Sequence, residues 1–234
     1  RNFIQLMAVS GTKTFALSIN DCILEALDRI GGGPYLGYDI KSARRSLNIM
    51  FTDWANRGLN QWTLQKQTLN MVANQSSYDL DASTVSIVDV YVTRDSTDFA
   101  VNEISLTDYN AYPNKAQTGR PSQYYLQKSM TPKLFLFPAP ENSTDVITYW
   151  RIAKIDDVTA STVSGVEQDF DVPSRFYEAM ISGLAYYMSL KRAGMDPNRS
   201  VYLKQEYELA FRRARDADLN QSINIVPNYG YTFE

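Results

Sequence analysis

The hydrophobic period changes twice along this chain, and those two changes bound what it can fold into. Apolar residues recur at helical spacing from Ile19 to Trp54, fall into short β-rich blocks from Trp62 to Ile152, and return to helical spacing from Phe176 to Ala214. A helix stripe repeats about every 3.6 residues and a strand face every second residue. Neither pattern can take the other's structure without turning its apolar set to water. The order helices, strands, helices predicts an α+β fold: a four-helix layer of two N-terminal and two C-terminal helices, an inserted antiparallel β lobe, and an extended C-terminal tail. The expected boundaries are an arm over 1–17, half of the helical lobe over 18–60, the β insertion over 61–172, the second helical half over 173–219 and the tail over 220–234. Met7 makes a natural initiator residue, which would set 1–6 apart as an upstream extension.

The first helix is expected over Ile19–Ile30. Ser18 is its N-cap and Asp21 lies in its first turn, where the helix dipole favours an acid. Ile23, Leu24, Leu27 and Ile30 are its expected apolar face, and the run Gly31-Gly32-Gly33-Pro34 stops it. No Lys-Ser/Thr follows these glycines, so they form a connector and not a phosphate loop. In the second helix Asp39 is the expected cap, and Ile40, Ala43, Leu47, Met50, Phe51 and Trp54 form the stripe, with Gly58 at the left-handed position past its end. Arg44 and Arg45 are polar positions beside that stripe. They form either a solvated face or a contact to an acidic neighbour.

Strands are expected at Trp62–Leu64, Leu69–Val72, Val85–Val92, Tyr124–Leu126, Leu134–Phe137 and Val146–Ile152, each bounded by turn-forming residues. Leu134-Phe135-Leu136-Phe137 is apolar on both faces, which requires a central strand covered on both sides. One short helix is expected over Ser105–Tyr112, ahead of Pro113, and a polar loop over 156–169. Pro173 opens the third long helix, with Phe176, Tyr177, Met180, Leu184, Tyr187 and Leu190 as its apolar face and Gly194 as its stop. Asp196-Pro197 starts the fourth. Leu203, Tyr207, Ala210, Phe211 and Ala214 line one side of it, and it fades after Asp218. In the tail, Ile223 and Ile225, then Tyr229, Tyr231 and Phe233, alternate around Val226 and Pro227. Such alternation fits an extended segment laid on a partner strand or groove. Packing back on the chain's own β region is the other reading.

Chemistry narrows the function. There is no histidine among the 234 residues, so a His-based nucleophile system or metal site is excluded. Cys22, the single cysteine, makes no internal disulfide and reads as a reduced core thiol. The net charge of −3 argues against a protein that grips nucleic acid through a basic face. No apolar run approaches the ~20 residues of a membrane span. Tyrosine is abundant, 16 against 10 Phe and 3 Trp, which suits half-wet interfaces and also suits strands. No cofactor is implied.

Ordered along the chain are Ile19-Asn20-Asp21-Cys22-Ile23-Leu24-Glu25-Ala26-Leu27, Ala43-Arg44-Arg45-Ser46-Leu47-Asn48 leading to Trp54-Ala55-Asn56-Arg57-Gly58-Leu59-Asn60, Thr118-Gly119-Arg120-Pro121-Ser122-Gln123-Tyr124-Tyr125, Leu136-Phe137-Pro138-Ala139-Pro140, and Val172-Pro173-Ser174-Arg175-Phe176-Tyr177-Glu178-Ala179 followed by Gly183-Leu184-Ala185-Tyr186. In this order the segments resemble the head-to-tail adaptor (head completion, or tail tubular A-type) proteins of short-tailed bacteriophages, from about Gly11 to Asp218. The resemblance implies a non-enzymatic structural subunit at the head–tail junction of the virion, assembled in the host bacterial cytoplasm. It implies a homo-oligomeric ring of twelve between the portal protein and the tail nozzle protein, with genomic DNA passing through the lumen unbound. It also implies that the tail reaches the portal, through Ile223, Ile225, Val226, Pro227, Tyr229, Tyr231 and Phe233. Arg44, Arg45, Arg57 and Arg120 are candidate contacts between subunits.

Two other functions fit parts of the sequence. A carbohydrate- or protein-binding module would use the aromatic-rich β lobe, be monomeric and have a dispensable tail. An adaptor with peptidoglycan-hydrolase activity would need a carboxylate pair. Glu25, Asp53, Asp79, Asp89 and Glu103 are its candidates, and no spacing selects two of them.

Overall fold

The computed structural model describes residues 15–31, 37–57, 61–159 and 169–219. The chain mixes α and β structure. The described residues fall into two compact units: those up to Asn48 with Asp156–Ala214, and Ile49–Ile155 with those from Arg215 on. The division passes through two helices, at Asn48/Ile49 and at Ala214/Arg215.

In the first unit, α1 (Ile19–Arg29) starts where the sequence places it. The Ser18 hydroxyl oxygen accepts from the Asp21 N–H at 3.1 Å, and Gly31 ends the turn at φ +103°. The buried face is Ile19, Cys22, Ile23, Ala26 and Leu27. Leu24, expected on it, is 43% exposed. It sits about 100° round the helix from Ile23 and clears the stripe. Asp39 lies in the first turn of α2 (Gly37–Asn56), not at its cap, because the helix begins three residues earlier than expected. The stripe holds: Ala43, Leu47, Met50, Phe51 and Trp54 are buried and Ile40 half-buried. Gly58 lies outside the described residues.

Ahead of α4 (Tyr177–Ser189), Ser174–Phe176 forms a 3₁₀ turn. The sequence gives α4 one apolar face, but the helix is buried nearly all round: Ala179 to Ala185 are covered without a break. Small side chains at Ala179, Ser182, Gly183 and Ala185 let neighbours approach, and α1 packs directly on it. Leu190, expected in that face, lies past the last turn and is 63% exposed. Gly194 takes φ +77° between the helices. In α5 (Pro197–Leu219) an Asp196 carboxylate oxygen accepts from the Asn198 N–H at 2.9 Å, as the Asp-Pro start predicts. Leu203, Tyr207, Phe211 and Ala214 are buried, and Phe211 meets Phe176 edge-on at 6.2 Å.

The second unit holds ten strands: β1 (Leu64–Asn70), β2 (Ser77–Asp79), β3 (Thr84–Arg94), β4 (Thr97–Ala100), β5 (Asn102–Glu103), β6 (Thr118–Gly119), β7 (Gln123–Gln127), β8 (Lys133–Phe137), β9 (Ala139–Pro140) and β10 (Val146–Ala153). One sheet has the order β1-β10-β3-β4, a second β2-β8-β7-β5, and β6 pairs with β9. Pairings are antiparallel except β5–β7 and β6–β9. Trp62 and Thr63, expected to open a strand, lie in a 3₁₀ turn, and β1 then runs through the polar stretch Gln65–Thr68 that the alternation does not mark. Asp95 and Ser96, at φ +50° and +63°, make the two-residue turn between β3 and β4.

One core joins both four-stranded sheets: Ile87, Val90, Val92, Ile147 and Tyr149 from the first, Tyr78, Tyr124, Leu126, Leu134 and Leu136 from the second, with Met71, Leu80 and Val101 between strands. β8 is central in its sheet, as its sequence requires. Leu134 and Leu136 enter the core, while Phe135 and Phe137 face α3 (Leu106–Ala111), the expected short helix, capped by Ser105. Tyr112 stacks on Phe137 at 3.7 Å between ring centroids and Tyr109 meets Phe135 at 5.6 Å.

Leu136→Ala should destabilise the protein by about 2–5 kcal/mol, because the site is sealed on every side. Leu24→Ser should cost less than about 0.5 kcal/mol. Urea unfolding of the two variants checks the pair; comparable losses would contradict the burial assigned to each.

Candidate functional site

The expected portal-binding residues Ile223, Ile225, Val226, Pro227, Tyr229, Tyr231 and Phe233 lie outside the described residues. The four arginines are placed. Arg44 is half-buried; its Nη2 donates to Asn20 Oδ1 at 3.4 Å, and its Nε is buried with no hydrogen-bond partner among the described residues. Arg45, on the next position of α2, is exposed. Arg57 donates to Asp53 Oδ2 at 2.9 Å, one turn back on the same helix. Arg120 is exposed and holds its guanidinium 3.7 Å from the centre of the Phe99 ring. Arg44 and Arg45 belong to the first unit, Arg57 and Arg120 to the second.

Three charged groups whose partners the sequence does not signal anchor the two units internally. Lys191 follows the last turn of α4, and its ammonium donates to Ser46 Oγ at 2.7 Å and to Ser42 Oγ at 3.2 Å on α2. Partial burial, and behind it the nearby Arg45 charge, lower its pKa. Arg94 on β3 donates from Nε to Asp145 Oδ2 at 2.7 Å and from Nη1 to Glu141 Oε1 at 2.7 Å, which pairs the buried Asp145. Arg151 on β10 is itself buried. It donates to Thr84 Oγ1 at 2.8 Å and Gln65 Oε1 at 2.9 Å, and lies 3.3 Å from Asp81. Hydrogen bonds from the Ser83 hydroxyl and N–H, with help from Arg151, hold Asp81 down at about 2.

The hydrolase candidates do not form a pair of poised acids. Glu25 bonds Arg29, Asp53 bonds Arg57, Asp79 meets Lys133 at 2.7 Å, and Asp89 accepts from the Val90 N–H. Glu103 sits exposed on β5. The acids that do gather are others: Asp156, Asp157, Asp169 and Asp171 line a pocket of about 220 Å³ beside Ile19. Burial first, then the Asp156 charge, raises the pKa of Asp171. Among the described residues no group of three or more Cys, Asp or Glu could hold a metal ion, and no helix is long and apolar enough to cross a membrane.

One exposed feature with shape is largely apolar. On the outer side of the second sheet, Leu106, Tyr109, Asn110, Tyr125, Gln127 and Phe135 line a pocket of about 190 Å³. Its walls are aromatic: Tyr125 lies 5.9 Å from Phe135 and 6.1 Å from Tyr109, ring centre to ring centre. Alternation along β7 and β8 does signal an outward Tyr125 and Phe135. That α3 would leave them partly open has no sequence signal.

Two segments quoted for the resemblance meet in space. Thr118 and Gly119 pair with Ala139 and Pro140, and the Ala139 N–H donates to Gln117 O at 2.9 Å. A Cβ on Gly119 would sit 3.6 Å from Pro138, ordinary contact, so the pairing and not a lack of space ties these residues together. Compared with known proteins, the family model described as SU10 adaptor protein matches residues 16–227. No curated protein matches the chain.

Arg94→Ala should destabilise the protein by about 2–4 kcal/mol, mostly because Asp145 is left buried and unpaired; denaturant unfolding measures it. Asp81 should titrate near pH 2 by carbon-detected NMR. A carboxylate held below its usual 3.8 adds stability that is full above that value and is lost as pH falls through about 2. Titration at an ordinary carboxylate value would contradict the hydrogen bonding drawn around it.

Proposed function

We propose that this chain, which belongs to the SU10 adaptor protein family, is the head-to-tail adaptor of a bacteriophage. The observation that carries this reading is the family match, which spans almost the whole chain in one run. It is a structural protein of the virion, placed at the head–tail junction and contacting portal and tail proteins. The finer reading follows from the notion of an adaptor. Twelve copies form a ring, the ring sits between the portal and the nozzle, and its lumen continues the channel through which DNA leaves. In this reading α1, α2, α4 and α5 make one helical layer, drawn from 18–60 and 173–219, and residues 61–172 are the inserted β lobe.

A closed ring requires two unlike flanks that meet head to tail. Arg44, Arg45, Arg57 and Arg120 are our candidates for contacts between subunits. Arg45 is the best placed, being exposed and close enough to Lys191 for their charges to repel; an acidic neighbour would relieve that repulsion. The tail, through Ile223, Ile225, Val226, Pro227, Tyr229, Tyr231 and Phe233, supplies the contact to the portal as an added strand. A net charge of −3 suits a wall past which DNA slides without being held. The chemistry at hand supports a binding role more than a hydrolytic one, because three of the carboxylates considered for hydrolysis, Glu25, Asp53 and Asp79, serve in ion pairs.

Deletion of residues 221–234 should leave a folded protein that no longer docks on the portal. Circular dichroism melting reports the fold, and mass photometry of the chain mixed with portal rings reports docking. Undiminished docking by the shortened chain would remove the tail's role. A full-length chain that stays monomeric and ignores the portal would remove the adaptor reading itself.

A further inference from the structure

We propose that Met130 of one copy enters the aromatic pocket beside Phe135 on a second copy, joining the β units of neighbouring subunits. The proposal rests on the reading that copies of this chain pack against one another. The knob comes first. Met130 sits at the tip of the β7–β8 hairpin and is 95% exposed, the most exposed large apolar side chain among the described residues. The tip is not slack: the Ser129 hydroxyl donates to Thr131 O at 2.5 Å, and the ladder is closed up to Gln127 opposite Lys133. An ordered turn that holds a methionine in water leaves apolar surface whose burial is favourable once a partner arrives.

The hole is on the same hairpin. At about 190 Å³ the pocket is below the size of sites that enclose a whole small ligand, and it suits a single side chain. Its lining is uncharged, with Asn110 and Gln127 exposed at the rim and Tyr109, Tyr125 and Phe135 as walls. A thioether on an unbranched stem adapts to an irregular aromatic cleft and gains sulfur–ring contact there. Every chain carries both parts, one knob and one hole, so in a head-to-tail ring each copy's knob enters one neighbour and its hole receives the other's, without any other protein. Met130 does not fill its own pocket, being almost wholly in solvent and absent from the pocket's lining.

The test uses the full chain with single-cysteine pairs. Cys22 is fully buried with its thiol pushed up to about 12, so it stays silent towards maleimides. Met130→Cys and Asn110→Cys chains are made separately, mixed, assembled alone or on portal rings, and treated with a short bismaleimide. Covalent dimer is expected in the mixture and far less in either variant alone. Met130→Ser should lower the association constant at least about tenfold with an unchanged melting temperature, as expected for losing one buried methionine from a contact. Assemblies that form without the cross-link, and that form equally well with Met130→Ser, would overturn this contact and leave the ring reading standing. Failure of the parent chain to self-associate, alone or on the portal, would remove both. Protection of Met130→Cys from maleimide only when portal or nozzle is added, with no link between copies, would assign the pocket's occupant to that protein and overturn the proposal.

Discussion

Strand β8 has no face it can show to water. Leu134 and Leu136 point one way, Phe135 and Phe137 the other, so the strand is stable only if something covers each side. The first sheet covers one side and supplies the common core. On the other side the cover is α3, and α3 is short. Six residues of helix span about 9 Å, while five residues of strand span about 17 Å. Tyr109 of the helix meets Phe135, and Tyr112, just past the helix end, stacks on Phe137, so both phenylalanines are left half-buried. What it leaves open is the aromatic pocket between Tyr109, Tyr125 and Phe135. This apolar pocket is thus a consequence of a length mismatch.

The helical unit meets the same demand differently. A helix apolar on most sides needs neighbours on most sides, and α4 has them because its small residues admit close packing. α1 lies on it and is tied to its start by two bonds from Arg29 to Glu178, at 2.6 and 3.0 Å. The end of α4 is tied to α2 by Lys191 on Ser42 and Ser46. Charged side chains thus fix the register of helices whose packing is otherwise non-directional.

Periodicity made much of this legible. The stripe of α2, the Ser18 and Asp196-Pro197 starts, and the two-sided burial of β8 all follow from spacing alone. Errors came where spacing is ambiguous. Leu24 is next to Ile23 in sequence, yet a helix turns it off the buried face. α4 showed one apolar side because alanine, serine and glycine, which carry the rest of its contacts, do not register as hydrophobic. β1 passes through Gln65–Thr68 because an edge strand is set by its backbone pairing with β10 and not by its side chains. β4 follows a turn made by Asp95 and Ser96, which carry no glycine to mark it. Of the candidate contacts, the arginines could be named but not paired. Their partners, Asn20, Asp53 and Phe99, are fixed by packing and helix turns that a list of charges does not contain. The Met130 knob was invisible because one methionine between a serine and a threonine has no pattern; only its exposure gives it meaning.

As a phage adaptor, this chain is a component of a particle, defined by what it touches. Cryo-electron microscopy of the intact phage tests that most directly. A ring of density with this two-unit fold, between the portal and the tail nozzle, is the predicted result. A particle whose head–tail junction is built from another fold, or that lacks this chain altogether, would contradict it.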